Sequence, residues 1–296
     1  MNLVAGATGL LGTEICRLLR ERGQPVRALV RATSDSAKVE ALRGLGCEIV
    51  TGDLRDPSSL RPACQGATAV FTTVTAIGSY SPENTFRTAD AGNRDLIDAA
   101  KEAGAFQFVF VSVSSGLNAD CDLGHIKRAN EQHLIKSGLT YTIVRPSAFM
   151  EIWLSPRLGF DAANARANIV GTGEARVSYI SYRDVARFCV AAIGHPAARN
   201  AGIELGGPDA ISPLEAVHIF ENATGKTFSL AHIPIEALQA QHAAPANPLE
   251  KTFAALMLEV GHGDVVPMHD VLRAFPGIAL TSLEDFARQA VPQPAV

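Results

Sequence analysis

The stretch GATGLLG, from Gly6 to Gly12, lies near the start of the chain and decides the fold class. It follows a short apolar run at residues 3–5 and precedes apolar residues at the spacing of one helical face, which continue until Gly23. The pattern is typical of a strand, a tight turn and an amphipathic helix in that order. The chain is therefore predicted to open with a strand, a glycine loop and a helix.

The three glycines of this loop are spaced three residues apart, at Gly6, Gly9 and Gly12. A tight turn, a close approach of the main chain to a phosphate, and close packing of a helix on a strand each exclude a side chain. A helix that begins after such a loop directs free N–H groups and the positive end of its dipole toward phosphates. We interpret the loop as a dinucleotide-binding loop, and the alternative is a plain turn.

Strands and helices alternate along the following residues. Further strands are predicted at 25–31, 47–51, 68–74, 106–113 and 140–145, and helices at 37–45, from Asp56 with Pro57 in the first turn, at 89–103 and at 126–136. Such alternation of nearly continuous apolar strands with helices is typical of a parallel sheet that is covered on both faces. The predicted fold is α/β, a doubly wound parallel sheet of the Rossmann type.

The alternation weakens after Phe149, which suggests a second region. We expect a nucleotide-binding domain at 1–152 and a smaller, mostly helical substrate-binding region at 153–296. Part of the latter, about 176–206, is predicted to rejoin the sheet through strands at 177–180 and 202–205 and a helix capped by Asp184. The stretch 239–247, rich in Gln, Ala and Pro, is expected to form a mobile loop or a lid.

The composition limits the possible function classes. With 47% hydrophobic residues, 19% charged residues and a net charge of −4, the chain is expected to be an ordinary globular protein without attraction to nucleic acid. No apolar stretch is long enough to span a membrane and no secretory signal is evident, so we expect a cytoplasmic location. The five cysteines form no CxxC pair, and the His and Asp residues at 262–270 match no metal-ligand spacing, so no metal is expected.

The second predicted strand ends at Arg31, where sites specific for NAD place an acidic residue against the ribose. Asp35 comes four residues too late for that role. Arg31, with help from Ser34 and Lys38, suits a 2′-phosphate, because a guanidinium binds phosphate in a bidentate manner. The sequence thus predicts NADP(H) as the cofactor, and the alternative is a solvated arginine at a strand end.

Four segments resemble one family: GATGLLG, LVR at 29–31, GDLRDPSSL at 52–60 and SGLTYTIVRPSAFM at 137–150. Together they are similar to the NmrA-like group of atypical short-chain dehydrogenases/reductases, which includes quinone, dye and isoflavonoid-type reductases as well as NADP-binding regulators. The resemblance implies cofactor contacts, namely Thr8, Leu10 and Leu11 at the pyrophosphate, Asp53 and Leu54 at adenine, Thr73 and Val74 at the ribose, and Pro146 to Phe149 at the nicotinamide.

The resemblance also implies part of a catalytic set of Ser, Tyr and Lys. Ser114 or Ser115 follows the fifth strand, and Lys127 has Glu131 four residues later, as the family helix does. The tyrosine position, four residues before Lys127, is Leu123. Because leucine cannot donate a proton, carbonyl reduction in the usual manner requires another acid.

Tyr80, in the loop after the fourth strand, is the preferred replacement for the missing tyrosine. His125 is ranked lower because it is two residues from Lys127 and points to nearly the opposite side of the helix. Tyr141 alternates within a strand and is expected in the core. Tyr80 is also compatible with a plain surface role.

Two function classes remain open. The first is an NADPH-dependent oxidoreductase that transfers hydride to a small apolar or aromatic acceptor (a quinone, enone, dye or carbonyl), with Phe149, Met150 and Trp153 as an apolar substrate surface. These three residues are equally compatible with packing between domains. The second is a non-catalytic NADP(H) sensor or regulator that acts through a protein partner. A monomer or a homodimer is expected in either case, without nucleic-acid or membrane partners.

Overall fold

The computed structural model describes residues 1–75, 77, 81, 85–117 and 120–290. The chain divides into two compact units, the first formed by residues 1–113, 122–145 and 185–203 and the second by the remaining segments. The strands are β1 (Asn2–Ala5), β2 (Val26–Val30), β3 (Glu48–Thr51), β4 (Ala69–Thr72), β5 (Gln107–Val111), β6 (Thr140–Pro146), β7 (Phe160–Asp161), β8 (Arg166–Val170), β9 (Ala201–Leu205) and β10 (Ser229–Ile233).

The helices are α1 (Leu10–Glu21), α2 (Ser36–Gly44), α3 (Leu60–Cys64), α4 (Phe86–Glu102), α5 (Asp122–Ser137), α6 (Met150–Trp153), α7 (Tyr182–Ala191), α8 (Pro213–Thr224), α9 (Ile235–Ala243), α10 (Pro248–His262), α11 (His269–Ala274) and α12 (Leu283–Ala290).

A seven-stranded sheet in the order β3-β2-β1-β4-β5-β6-β9 dominates the first unit. The neighbours from β3 to β6 are paired in parallel. The strand order reverses between β1 and β4, which creates the switch point where doubly wound sheets bind ligands. The predicted α/β doubly wound fold is confirmed, and the predicted strand near the end of the 176–206 segment is β9.

The local rules that predicted α1 operate in the structure. Leu11, Ile15 and Leu19 are buried, because they share the face of α1 that packs on the sheet. The helix ends before Gly23, whose φ of 69° lies in the left-handed region that glycine tolerates. Asp56 caps a 3₁₀ turn that leads into α3, and its side chain accepts from the N–H of Ser58, as predicted for a helix start.

A buried ionic cluster joins α5 to the sheet. Glu131, only 2% exposed, accepts hydrogen bonds from Arg145 (Nη2 at 2.6 Å), from Arg128 (Nη1 at 2.6 Å) and from the Ser112 hydroxyl. Burial by itself raises the pKa of Glu131, but the bonds from Arg145 and Ser112 and the two guanidinium charges outweigh it and hold the pKa below its ordinary value. The charged carboxylate therefore fixes α5 against β5 and β6.

The second unit combines most of the remaining helices with a three-stranded sheet in the order β10-β8-β7. Its core contains a group of aromatic rings, with Phe160 and Phe220 at a centroid distance of 4.8 Å and Phe228 at 5.5 Å from Phe160. The predicted strand at 177–180 is wrong as a strand of the large sheet. Its residues form isolated bridges with Phe149, Ile211 and Asp264 instead.

The expectation of a mobile loop or lid at 239–247 is wrong for residues 239–243, which are helical, whereas residues 244–247 form a short connection between two helices. Helix α9 continues to Ala243, and α10 begins at Pro248 with Asn247 as its N-cap, whose side chain accepts from the N–H of Glu250. Alanine and glutamine are strong helix formers, and Asn followed by Pro is a helix start signal. The alanine and glutamine residues therefore indicated a helix, although Pro245 and Asn247 beside them are typical of turns.

Within the described part of the chain, no helix has both the length and the apolar character required to cross a membrane.

Candidate functional site

The backbone of the glycine loop in the first unit is in close contact with itself and with the start of α1. Gly6 has a φ of 80°, and a Cβ there would lie 2.5 Å from Thr73 Oγ1. A Cβ on Gly12 would lie 2.1 Å from the carbonyl oxygen of Gly6, so α1 packs directly on the loop. The Gly9 N–H donates to Gly6 O at 3.0 Å, and Thr13 Oγ1 donates to Ala7 O at 2.7 Å. The close contacts at Gly6 and Gly12 explain physically why a side chain is excluded at these two positions.

The N-terminus of α1 lies beside this loop. Gly9 is the N-cap and provides no side-chain cap, and the Thr13 N–H bonds to Gly9 O at 2.9 Å. The N–H groups of the first turn, Leu10 to Gly12, lie before the first intrahelical acceptor and so have none within the helix. The Leu10 side chain is 56% exposed and the Leu11 side chain is buried, so any phosphate contact there uses backbone groups.

A cavity of about 370 Å³ opens at the carboxyl ends of β1 to β4, entirely within the first unit. It brings together eight of the predicted cofactor residues, namely Gly6, Thr8, Gly9, Arg31, Asp53, Leu54, Thr73 and Val74. Ser34 and Lys38 line it as well, whereas the predicted residues Leu10, Leu11, Gly12, Lys127, Pro146 and Phe149 do not. The carboxyl ends of parallel strands meet at one edge, which is why residues distant in sequence converge here.

The cationic side of this cavity is formed by Arg31 and Lys38. The Arg31 N–H donates to Ser34 Oγ at 3.0 Å, which shapes the turn between β2 and α2. Asp35 caps α2, because its side chain accepts from the N–H groups of Ala37 and Lys38. The Asp35 carboxylate, the acid that follows Arg31 in sequence, is therefore used as a helix cap. Arg31 is then the charged residue directly after β2 in this cavity.

Sequence reasoning missed Arg55, which lines the same cavity. Its guanidinium binds the Asp53 carboxylate, with Nη2 at 2.6 Å from Oδ2 and Nε at 3.1 Å from both oxygens. The bond from Arg55 is the main reason that the pKa of Asp53 lies below its ordinary value. The signal was present in GDLRDP, where an arginine follows the strand-end acid by two residues.

Lys127 is nearly completely buried on α5. Its ammonium donates to Val111 O at 2.8 Å and to Val74 O at 3.3 Å, and it lies 4.8 Å from the centroid of the Phe110 ring. Desolvation lowers the pKa of Lys127 to about 8, although the charge of Glu131 acts in the opposite direction. Lys127 thus bridges the carboxyl ends of β4 and β5, and one of its acceptors, Val74, lines the cavity.

Leu123 is buried on the same helix, at 3% exposure, so an apolar side chain fills the tyrosine position. His125 is exposed while Lys127 is buried, as expected for residues on nearly opposite sides of α5. Tyr141 packs against the core of the first unit, as predicted. Tyr80 lies outside the described residues.

Ser114, in the second unit, bonds the carboxylate of Asp264, a contact that was not predicted from the sequence. Its Oγ donates to Asp264 Oδ1 at 2.9 Å, and Ser147 Oγ donates to Asp264 Oδ2 at 2.6 Å. The N–H of Gly116 donates to Ser114 Oγ at 3.1 Å. All three side chains of this serine–aspartate cluster are at least nine-tenths buried. A hydroxyl has one proton to donate. The Ser114 hydroxyl therefore directs its proton at the Asp264 carboxylate.

The three residues predicted as a substrate surface differ in exposure. Met150 is 1% exposed in the core of the second unit, and Phe149 is half-buried at the N-cap of α6. Trp153 is half-buried and lines a cavity of about 30 Å³ together with Phe160 and Tyr179. That volume is near the size of one water molecule, so it does not hold an aromatic acceptor.

Among the described residues, no group of three or more His, Cys, Asp or Glu side chains has the geometry of a metal site.

The glycine loop, the cationic strand ends and the strand order point to the same group of proteins as the sequence segments. The model of the NmrA-like family matches residues 2–265. The chain belongs to the NmrA-like family. This assignment confirms the predicted resemblance, and the match includes the second unit as far as residue 265.

The curated relatives include enzymes and assembly proteins. The chain is 32% identical over 265 residues to an NAD(P)H azoreductase of Xenophilus azovorans, covering 88% of this chain and 86% of that protein. It is 29% identical over 238 residues to the photosystem II assembly factor Ycf39 of Cyanophora paradoxa, covering 80% of this chain and 73% of that protein.

Solved structures share the fold. An NADPH-dependent quinone oxidoreductase of Escherichia coli, in complex with NADPH, superposes with a TM-score of 0.79 at 21% identity, covering 98% of this chain and 99% of that one.

Proposed function

We propose that this protein is an NADPH-dependent oxidoreductase that reduces a small apolar or aromatic acceptor. The observation that carries the proposal is the cavity at the carboxyl ends of β1 to β4, because Arg31 and Lys38 line it next to the end of β2, where NADP sites accommodate the 2′-phosphate. The unbonded N–H groups at the start of α1 supply the site for the pyrophosphate. The relatives named azoreductase and quinone oxidoreductase support the same chemistry.

NADPH supplies the hydride when it is bound. Gly6 and Gly9 would let the main chain approach the pyrophosphate, and Arg31 with Lys38 would bind the 2′-phosphate. Lys127 holds the ends of β4 and β5 together, and by its bond to Val74 O it would support the part of the cavity wall beside which the ribose would lie. Tyr80 is proposed to border the reacting groups, and a role there for Ser114, whose hydroxyl bonds Asp264, stays a prediction from the family resemblance.

Leucine at position 123 sets the class of acceptor. Reduction of a quinone, an activated alkene or a cationic dye gives a delocalised anion or a neutral product, so water suffices as the proton source. An unactivated ketone needs a positioned acid, which Leu123 cannot be. We therefore expect turnover of quinones and dyes to exceed that of simple aldehydes and ketones.

The test follows the oxidation of NADPH by its absorbance against quinones, azo and triphenylmethane dyes, enones and aldehydes. Gly9→Asp is expected to abolish turnover, because it places a carboxylate beside the phosphate-binding N–H groups. Gly44→Asp is the matched control, because Gly44 is exposed in α2 and a Cβ there meets no atom within 4 Å. Lys127→Ala is expected to lower turnover, and unchanged turnover in that variant would contradict the role of Lys127.

Leu123 and the assembly-factor relative favour one alternative, a non-catalytic NADP(H)-binding regulator that acts through a protein partner. Tight binding of NADPH without turnover of any acceptor class would support the alternative and refute the reductase.

A further inference from the structure

Four charged side chains line the cavity of the first unit: Arg31, Lys38, Asp53 and Arg55. Asp53 is the one acid among these lining residues, and its carboxylate is about one-quarter exposed. An acid in this cavity repels a 2′-phosphate, which carries a charge of about −1.5 to −2 at neutral pH by analogy with other phosphomonoesters. Either this repulsion weakens NADPH binding or another group cancels it.

The bonding of Asp53 shows how its charge is compensated. Arg55 contacts both carboxylate oxygens through its side chain, and its backbone N–H donates to Oδ1 at 2.9 Å. Two guanidinium donors, Nε and Nη2, and one backbone donor of Arg55 thus bind the Asp53 carboxylate. Such bidentate pairs combine a short distance with a defined orientation.

The loop that carries the pair is rigid through its own hydrogen bonds. The N–H of Asp53 donates to Ser59 Oγ at 3.0 Å, and the N–H of Asp56 donates to Asp53 O at 2.8 Å. A Cβ on Gly52 would lie 2.8 Å from Leu29 Cδ1, so the loop packs closely on β2. The Asp53–Arg55 pair therefore keeps its place at the cavity wall.

We propose that Arg55 is a specificity-determining residue: it cancels the charge of Asp53, so that Arg31 and Lys38 present an uncompensated charge of two to the 2′-phosphate. This inference rests on the proposed function for the cofactor that the cavity binds. Arg55 acts through Asp53 and favours ligands that bear a 2′-phosphate. Asp53 remains an acceptor toward adenine in this arrangement.

The experiment measures dissociation constants of 2′,5′-ADP and of ADP by calorimetry, and the readout is the ratio of the two affinities. Arg55→Met is expected to reduce the preference for 2′,5′-ADP roughly tenfold. The Asp53 charge would then be uncompensated and would repel the 2′-phosphate across several ångströms at the effective dielectric constant of a protein surface. Adding Asp53→Asn to that variant is expected to restore the ratio. Arg61→Met is the control, because Arg61 pairs with Glu102 at 3.6 Å and does not line the cavity.

Three outcomes overturn the proposal. Equal weakening of both ligands in Arg55→Met would make Arg55 a platform for adenine, independent of the 2′-phosphate. A ratio that Asp53→Asn fails to restore would show that the charge of Asp53 is not the cause. An unchanged ratio of the two affinities in Arg55→Met would show that Arg55 has no role in the preference for the 2′-phosphate. The assay needs no acceptor and no turnover, so its failure is distinguishable from failure of the reductase proposal.

Discussion

Replacing Gly12 with alanine tests whether the contact between α1 and the glycine loop is as close as the structure has it. The added Cβ would lie 2.1 Å from the oxygen and 2.7 Å from the carbon of the Gly6 carbonyl group. Both partners are backbone atoms, so no side-chain rotation relieves the clash, and the helix and loop must separate by about 1 Å to restore a normal contact.

The expected free-energy change combines two opposing effects. Overpacking of this kind costs about 1–3 kcal/mol, and the upper end applies here because backbone must move. Alanine is favoured over glycine inside a helix by about 1 kcal/mol. The net loss is therefore about 2 kcal/mol, which lowers the midpoint of thermal unfolding by about 4–8 °C in a protein of this size class.

The assay is thermal unfolding by circular dichroism, with and without NADPH. Gly44→Ala provides the control within the same unit, since a Cβ at this exposed helical position meets nothing within 4 Å. It is expected to be neutral or stabilising by up to about 1 kcal/mol. If Gly12→Ala were as stable as Gly44→Ala and kept the stabilisation by NADPH, the close packing of α1 on the loop would be refuted.

Three further predictions concern buried polar groups. The pKa of Lys127 in the folded protein is about 8, well below the ordinary value, so the folded state binds fewer protons than the unfolded state between pH 8 and 10.5. The free energy of unfolding of the wild type, relative to that of Lys127→Met, should therefore rise across that window by up to about 3 kcal/mol, as measured by urea unfolding. A difference that does not change with pH would contradict the burial of an ammonium. Glu131→Gln should cost about 3 kcal/mol at neutral pH, and because the pKa of Glu131 is lowered, the penalty should shrink as the pH falls below the ordinary value for glutamate. In the serine–aspartate cluster, Asp264→Ala should cost about 2 kcal/mol and Asp264→Asn less, since the amide still bonds both hydroxyls; equal losses in chemical unfolding would show that hydrogen bonding there is unimportant.

The first unit was largely predictable because its rules are local. The apolar face of α1, the caps at Asp35 and Asp56 and the continuous apolar strands act over a few residues each. Once the strands are parallel, Arg31 and Asp53 must approach each other, since each follows the end of a neighbouring strand. The cavity was therefore implicit in the order of the elements.

The second unit was less predictable because its structure depends on distant pairing. Strand β8 pairs with β10 along five residues that are more than 60 positions away, and nothing in the periodicity of either segment identifies the partner. Asp264 likewise meets serines at 114 and 147 through long-range packing. The stretch 239–247 differs in kind, because its helix signals, the alanines and glutamines, are local and stand beside Pro245, a residue typical of loops.

The interleaving of the two units constrains how the polypeptide can be made. The chain passes from one unit to the other five times between residues 113 and 204, so neither unit is complete when the ribosome has finished the first half of the message. Strand β9 is the last to join the sheet and sits next to β6 at its edge. Until residues 201–205 emerge, β6 offers an open row of hydrogen-bonding groups, which is the kind of surface that invites self-association. A nascent chain halted at about residue 150 would thus be a natural client for chaperones, and gene fragments that end there would accumulate as aggregates.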